Sequence, residues 1–256
     1  MFKTLGNIVK WIGQQFMGMI FLLIAFVVLT PSSSTQLTTA NLQEIKLLGP
    51  IMSANAVLKE IEEAQKDTKI KGVLLNVNSP GGAVPPSIEI AYAIKELRKH
   101  KPVVVYASGI MASGSYYASI YANTIIANPG SIVGSIGVIM ESANVEELMN
   151  TIGVKTQIVK QGKFKEAGTP TREWTVEERE ELETLTKDTY DLFVSDVAEA
   201  RGLEVNKEKS YADAHIFSAK RAKEAGLIDR IGVKYEAKKE LETLAKVTKP
   251  SWKEKD

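Results

Sequence analysis

The sequence predicts an α/β fold, with parallel strands joined by crossover helices, carried behind an amino-terminal membrane segment. Three observations lead there. From about Leu42 onward, short β-rich apolar runs alternate with helical patterns, as they do when strands are buried on both faces. Residues Phe16 to Leu29 contain no charged or strongly polar side chain. The 256 residues are 44% hydrophobic and 25% charged, the composition of an ordinary folded protein.

The amino end is read as a cytoplasmic stub, a transmembrane anchor and a stalk over residues 1–35. Phe16 to Leu29 as helix gives ~21 Å, and adding Trp11 to Gln15 brings it to ~28 Å, close to a ~30 Å hydrocarbon core. Lys3 and Lys10 precede the segment and no basic residue follows until Lys46. The positive-inside rule then puts the amino terminus in the cytoplasm and residues 36–256 outside, on a single-pass plasma-membrane protein. A cleaved signal peptide is the competing reading. Its nearest small-residue pair, Thr38 and Ala40, lies well past the apolar run, whereas Pro31 and the polar stretch Ser32 to Thr35 suit a stalk.

After the anchor, strands are expected at Ile45–Ile51, Gly72–Val77, Val103–Tyr106, Thr124–Ala127 and Thr156–Val159, with helices at Ala54–Ala64, Ile88–Leu97, Gly114–Tyr121 and Val145–Ile152. A long charged helix runs from Val176 to about Ala200, opened by Thr175 with Glu178 three residues on, a capping-box pattern. Ser218 to Ala225 reads as a short helix stopped by Gly226. Residues 234–256 are densely charged and read as a solvated helix with a frayed tail. No linker divides residues 36–256.

Composition narrows the chemistry. Lys+Arg of 32 against Asp+Glu of 31 leaves a net charge of +1, which argues against broad capture of nucleic acid. The chain has no cysteine, so thiolate nucleophiles, disulfides and Cys-ligated zinc are excluded. His100 and His215 are the only histidines, too few for a His-rich metal site, and no phosphate loop is present. No cofactor and no metal are expected. Hydroxyls, lysines, carboxylates and backbone amides must do the work.

Two loops at the ends of β runs carry it. Asn78-Ser79-Pro80-Gly81-Gly82 follows one strand, and a Pro-Gly-Gly turn before a helix frees backbone N–H groups to face a developing negative charge. The plain alternative is a tight strand-to-helix connection. Ser108 to Tyr117 follows the next strand and holds Ser113 at a helix start, where an alkoxide would be stabilised. Met111 and Ser115 occupy the glycine positions of a nucleophile elbow, and Ser113 could equally be a helix cap. A serine nucleophile needs a base. His100 sits among Arg98, Lys99 and Lys101, and no histidine occurs between 101 and 214. The remaining base is a lysine desolvated enough to release its proton near neutral pH.

Ser-Pro-Gly-Gly at 79–82, Met-Ala-Ser-Gly at 111–114, Gly-Ser-Ile-Gly-Val-Ile-Met-Glu-Ser at 134–142 and Gly-Lys-Phe-Lys-Glu at 162–166 occur in that order. With Phe217–Gly232, they resemble the short bacterial form of the signal peptide peptidase A family, membrane-anchored serine peptidases with a Ser–Lys dyad. Position by position, the resemblance implies Ser113 as nucleophile and Lys165 rather than Lys163 as general base. It further implies Ser135 as the hydroxyl that orients the lysine, and Gly82 and Gly114 N–H as the oxyanion hole, with Gly81 shaping the turn. Ser115 departs from the family, which usually has glycine there.

The fold implied is the β/α spiral superhelix of the ClpP peptidase and crotonases, in ring-like homo-oligomers whose dyad joins serine and lysine from neighbouring subunits. Implied substrates are hydrophobic peptides such as signal-peptide remnants, bound by strand addition. Two other readings compete: a crotonase-like acyl-CoA enzyme, disfavoured by an extracytoplasmic site, and a noncatalytic membrane scaffold.

Overall fold

The computed structural model describes residues 40–253, together with residues 10, 18, 20 and 21. The expected anchor and stalk lie outside the described residues apart from those four positions. Among the described residues no helix is long and apolar enough to cross a membrane.

From Ala40 the chain forms one compact unit. Strands β1 (Leu42–Leu48), β2 (Gly72–Ser79) and β3 (Val103–Ala112) pair in parallel, linked by helices α1 (Asn55–Lys66) and α2 (Val84–Leu97). Their near-continuous apolar runs suit burial on both faces. Ile45, Val73, Leu75 and Val105 enter the main core with α1 and α2, while Leu42, Leu74, Val104 and Ile126 face a second, smaller one. Helix α2 starts a turn earlier than expected, because Pro85 and Pro86 fall in its first turn, where a missing N–H costs nothing.

β3 also departs from expectation. It runs past Tyr106 to Ala112 and serves two neighbours in succession. Val104–Ala107 pair with β4 (Thr124–Ala127), then Ile110–Ala112 pair with the short β5 (Ile132–Gly134). The helix α3 (Gly114–Ser119) leaves directly from its end. The Ala112–Gly114 turn therefore leaves the sheet between the ends of β2 and β5.

The carboxy-terminal part corrects three more expectations. Thr156–Val159 is not a strand: it pairs with nothing among the described residues, and Ile158 and Val159 are 51% and 101% exposed. A β-prone run becomes a strand only where a partner edge is available. Second, the sheet is not purely parallel, since β6 (Ile216–Ser218) meets β5 antiparallel. Third, the tail is not frayed through residue 253. α7 (Lys234–Leu244) buries Ala237 and Leu241 in the second core, and β8 (Trp252–Lys253) adds in parallel to β1. Lys234 Nζ reaches the buried Glu44 carboxylate at 2.7 Å, so the charges of this helix secure it over the sheet.

Between these parts lie α4 (Glu146–Thr151) and the long α5 (Val176–Arg201). The Thr175–Glu178 capping box forms as expected, and Gly202 ends α5 with φ 65°. α6 (Ala219–Glu224) and β7 (Arg230–Ile231) complete the sheet's second branch, β7 pairing with β4.

Candidate active site

β2 ends where Pro80 removes the next donor, and β3 ends at Ala112; the two loops read from the sequence meet there. A Cβ built on Gly81, at φ 95°, would stand 2.6 Å from Gly114 N and 2.9 Å from Ser113 Cβ. One on Gly82 would overlap Ile51 O at 2.2 Å, and one on Gly114 would stand 2.3 Å from Ser87 Oγ and 3.3 Å from Gly82 N. Side chains are therefore excluded at all three positions, and two backbone amides come close together. Ile51 N–H donates to Gly81 O at 2.8 Å and Ala83 N–H to Ile51 O at 2.8 Å. This leaves Gly82 N–H and Gly114 N–H, the latter at a helix start, without an acceptor among the described residues.

Ser113 sits beside them with φ 53° and ψ −126°. That conformation is unfavourable for a residue with a Cβ and costs ~1–3 kcal/mol, strain of the kind that gathers at functional sites. The turn is pinned by Ser113 N–H donating to Gly134 O at 2.8 Å, an extension of the β3–β5 ladder. The capping alternative does not hold, because the Ser113 hydroxyl makes no capping hydrogen bond. Ser113 is half-buried in a small cavity with Gly82, Gly114, Tyr117, Val138 and Phe193. Among the described residues no basic side chain lines it.

Ser135 follows Gly134 and so stands next to the Ser113 turn. Its φ is 52°, and its N–H donates to His215 O at 2.7 Å. Asp213 and Ala214 also have positive φ, 60° and 56°, so several strained residues gather behind the serine. His215 contributes its carbonyl there, and its ring meets Phe217 edge-on. His100 lies exposed at the end of α2, 3.5 Å from Glu96.

Lys165 is elsewhere. It is exposed on the loop after Gly162 and, among the described residues, its side chain makes no hydrogen bond or ion pair. Lys163 is engaged, 3.6 Å from Glu177 and 5.3 Å from the Phe164 ring centre. The loop is fastened from its other side. Arg172 grips Glu178 through two hydrogen bonds of 2.7 and 2.8 Å and approaches Glu166, which pairs with Lys160. The Arg172 hydrogen bonds, with the Thr175 N–H, hold the Glu178 carboxyl down to about 2. Much of the surrounding segment is apolar and exposed, including Ile139, Met140, Ile152, Val154 and Phe164. The structure thus gathers Ser113, Gly81, Gly82, Gly114 and Ser135, and leaves Lys165 out of the serine's cavity.

Several residues escaped sequence reasoning. Tyr117 lines the cavity, stacks on Phe193 at 4.4 Å and donates to the buried Asp196 at 2.6 Å. Burial and that carboxylate push its phenol up. Only the i, i+3 spacing of Phe193 and Asp196 on α5 hinted at a shared face. From the serine's cavity, past Gly137 and Val138, a groove of about 570 Å³ continues against α5, lined by Ile139, Met140, Trp174, Leu182 and Tyr190.

Comparison with known proteins meets this geometry. Residues 95–248 match the family described as peptidase family S49. A putative protease of Methanocaldococcus jannaschii is 45% identical over 190 residues, covering 74% of this chain and 61% of that protein. A putative signal peptide peptidase SppA of Enterococcus faecium is 35% identical over 192 residues, 75% of this chain and 56% of that one. The chain therefore spans little more than half the length of these relatives. Among solved structures, a ClpP1 mutant from Listeria monocytogenes superposes with a TM-score of 0.53 at 16% identity, covering 76% of this chain and 93% of that one. At that identity the likeness is one of fold, and it agrees with the ClpP-like architecture expected from the sequence.

Proposed function

The chain belongs to peptidase family S49, and from that premise we propose that it is a serine endopeptidase with a Ser113–Lys165 dyad completed between neighbouring subunits. The observation that carries this reading is the strained Ser113, set beside two amide groups that have no acceptor among the described residues.

In the proposed reaction the neutral Lys165 amine takes the Ser113 proton as Oγ attacks a peptide carbonyl. Gly82 and Gly114 N–H donate to the resulting oxyanion, an interaction often worth ~3 kcal/mol for each donor. Ser135 orients the amine. The ammonium returns its proton to the departing amine, and water then releases the acyl group from Ser113. A lysine can act this way only in dry surroundings, and its own protomer leaves Lys165 in solvent. A neighbouring subunit docking over the exposed apolar segment would supply both the desolvation and the missing partner for Ser113. The groove beyond Val138, where Ile139, Met140, Trp174 and Leu182 share the lining with Arg179, Glu183, Lys187 and Asp213, suits peptides rich in hydrophobic side chains, including signal-peptide remnants. The charge-free stretch Phe16–Leu29 supports a single-pass anchor that holds the domain outside the cytoplasm. Family membership favours this reading over the acyl-CoA and scaffold alternatives.

Subunit mixing tests the shared dyad. Ser113→Ala and Lys165→Ala should each be inactive alone. Random co-assembly should restore about a quarter of the sites, because each junction takes its serine from one subunit and its lysine from the next. No recovery in confirmed mixed assemblies would exclude a shared site. Full activity of Lys165→Ala alone would bring Lys163 forward.

A further inference from the structure

The β2–β3 ladder is irregular just before the proposed site. Its register shifts between Val77 and Ser79, and side chains take over where the backbone falls out of step. Asn78 Oδ1 accepts from Ile110 N–H at 3.0 Å, and Ser108 Oγ donates to Val77 O at 3.1 Å. The last and innermost of these patches is Ser115. Its hydroxyl is fully buried, accepts from Ala112 N–H at 2.9 Å and lies 2.6 Å from Ser79 O. Ala112 O lies 2.9 Å from it, but a hydroxyl has one proton, and the shorter contact to Ser79 takes it.

This hydroxyl joins the two chain segments that supply the oxyanion donors. Ser79 immediately precedes Pro80-Gly81-Gly82, and Ala112 immediately precedes Ser113-Gly114. Ser79 is itself fully buried, and its Oγ accepts from Gly81 N–H at 3.2 Å, which carries the connection into the glycine turn. The Ser115 carbonyl is fixed in turn by Ser119 Oγ at 2.7 Å. We propose that Ser115 is a positioning residue: its hydroxyl latches the Gly82 turn to the Ser113–Gly114 turn and sets the spacing of the two N–H groups that receive the oxyanion. The proposal rests on the peptidase reading for its catalytic consequence and on the hydrogen bonds alone for the latch. Oxyanion stabilisation depends steeply on donor placement, so a loosened latch acts on the chemical step and spares ground-state binding.

The test compares Ser115→Ala with Ser115→Gly in the full-length assembled protein. Peptide turnover and the rate of Ser113 labelling by a fluorophosphonate are followed, with amide hydrogen exchange over 79–83 and 112–115. Ser115→Ala should lower kcat and the labelling rate ~10–100-fold with KM within about twofold, and should speed exchange in both segments. Ser115→Gly should recover part of the rate, because it leaves room for a water to bridge Ala112 N–H and Ser79 O. Wild-type rates and unchanged exchange in Ser115→Ala would overturn the latch. So would a lowered melting temperature with labelling rate and kcat intact, which describes a merely structural serine. A wild type that does not label at Ser113 would remove the peptidase reading, and the exchange comparison would then decide the latch by itself.

Discussion

The turn at Ser113 and the segment from Ile139 to Lys165 are opposites in physical terms. Around the turn Ser79, Met111, Ala112 and Ser115 are buried, close approaches exclude side chains at three glycines, and hydroxyls replace backbone hydrogen bonds across an irregular ladder. In the segment, apolar side chains stand in solvent, the expected strand has no partner among the described residues, and Lys165 reaches into water. The contrast shows which half of the proposed chemistry one protomer can build. Strain and donor placement need only the chain's own packing. A neutral amine needs a dry surface from outside, and the exposed apolar segment is of the kind that such a surface would cover.

The largest expected effect breaks the contrast at its exposed end. Val159→Asp, alone or with Ile158→Asp, should lower activity ~30-fold or more by placing a carboxylate in a contact that must become dry. Folding of the protomer should be untouched, since both side chains are already in solvent. Activity, melting temperature and mass by light scattering check this together. An active assembly would show that this segment stays outside the contact.

A smaller effect sharpens the buried end. Glycine accepts the Ser113 backbone angles freely, whereas alanine, like serine, adopts them only under strain. Ser113→Gly should therefore be more stable than Ser113→Ala by about 1–3 kcal/mol in denaturant unfolding, with both inactive. Equal stabilities would mean that the turn stores no strain.

The smallest effect concerns the tether of the Lys165 loop to the start of α5, where Arg172 clamps Glu178 and approaches Glu166. The folded carboxyl titrates near about 2, below the ~4.3 of an unfolded chain. Its stabilisation is thus fully present above ~4.3 and is lost as pH falls through about 2. The melting-temperature difference between wild type and Glu178→Gln should shrink over that window. A difference constant from pH 5 to 2 would place the tether's energy elsewhere.

Much of this was legible in the chain. Gly72–Val77, Val103–Tyr106 and Thr124–Ala127 are strands because their apolar runs suit sheets covered on both sides, and the Thr175–Glu178 cap is local chemistry that formed as written. Pro80-Gly81-Gly82 and the turn at Ser113 could be singled out because proline restricts the backbone and glycine frees it wherever they stand. Thr156–Val159 misled because its residues favour a strand, while pairing depends on an edge far away in the sequence. Trp252–Lys253 was missed for the converse reason, a charged tail given an edge by β1.

Local pattern alone therefore determined the class of fold and the two loops, since each depends on residues within a turn or two of one another. Only the folded molecule decided that Gly82 and Gly114 present their amides together, that Ser115 joins Ser79 to Ala112, and that Lys165 stays in solvent. Those outcomes depend on which distant segments pack against each other, and burial, not residue type, sets what a hydroxyl or an amine can do.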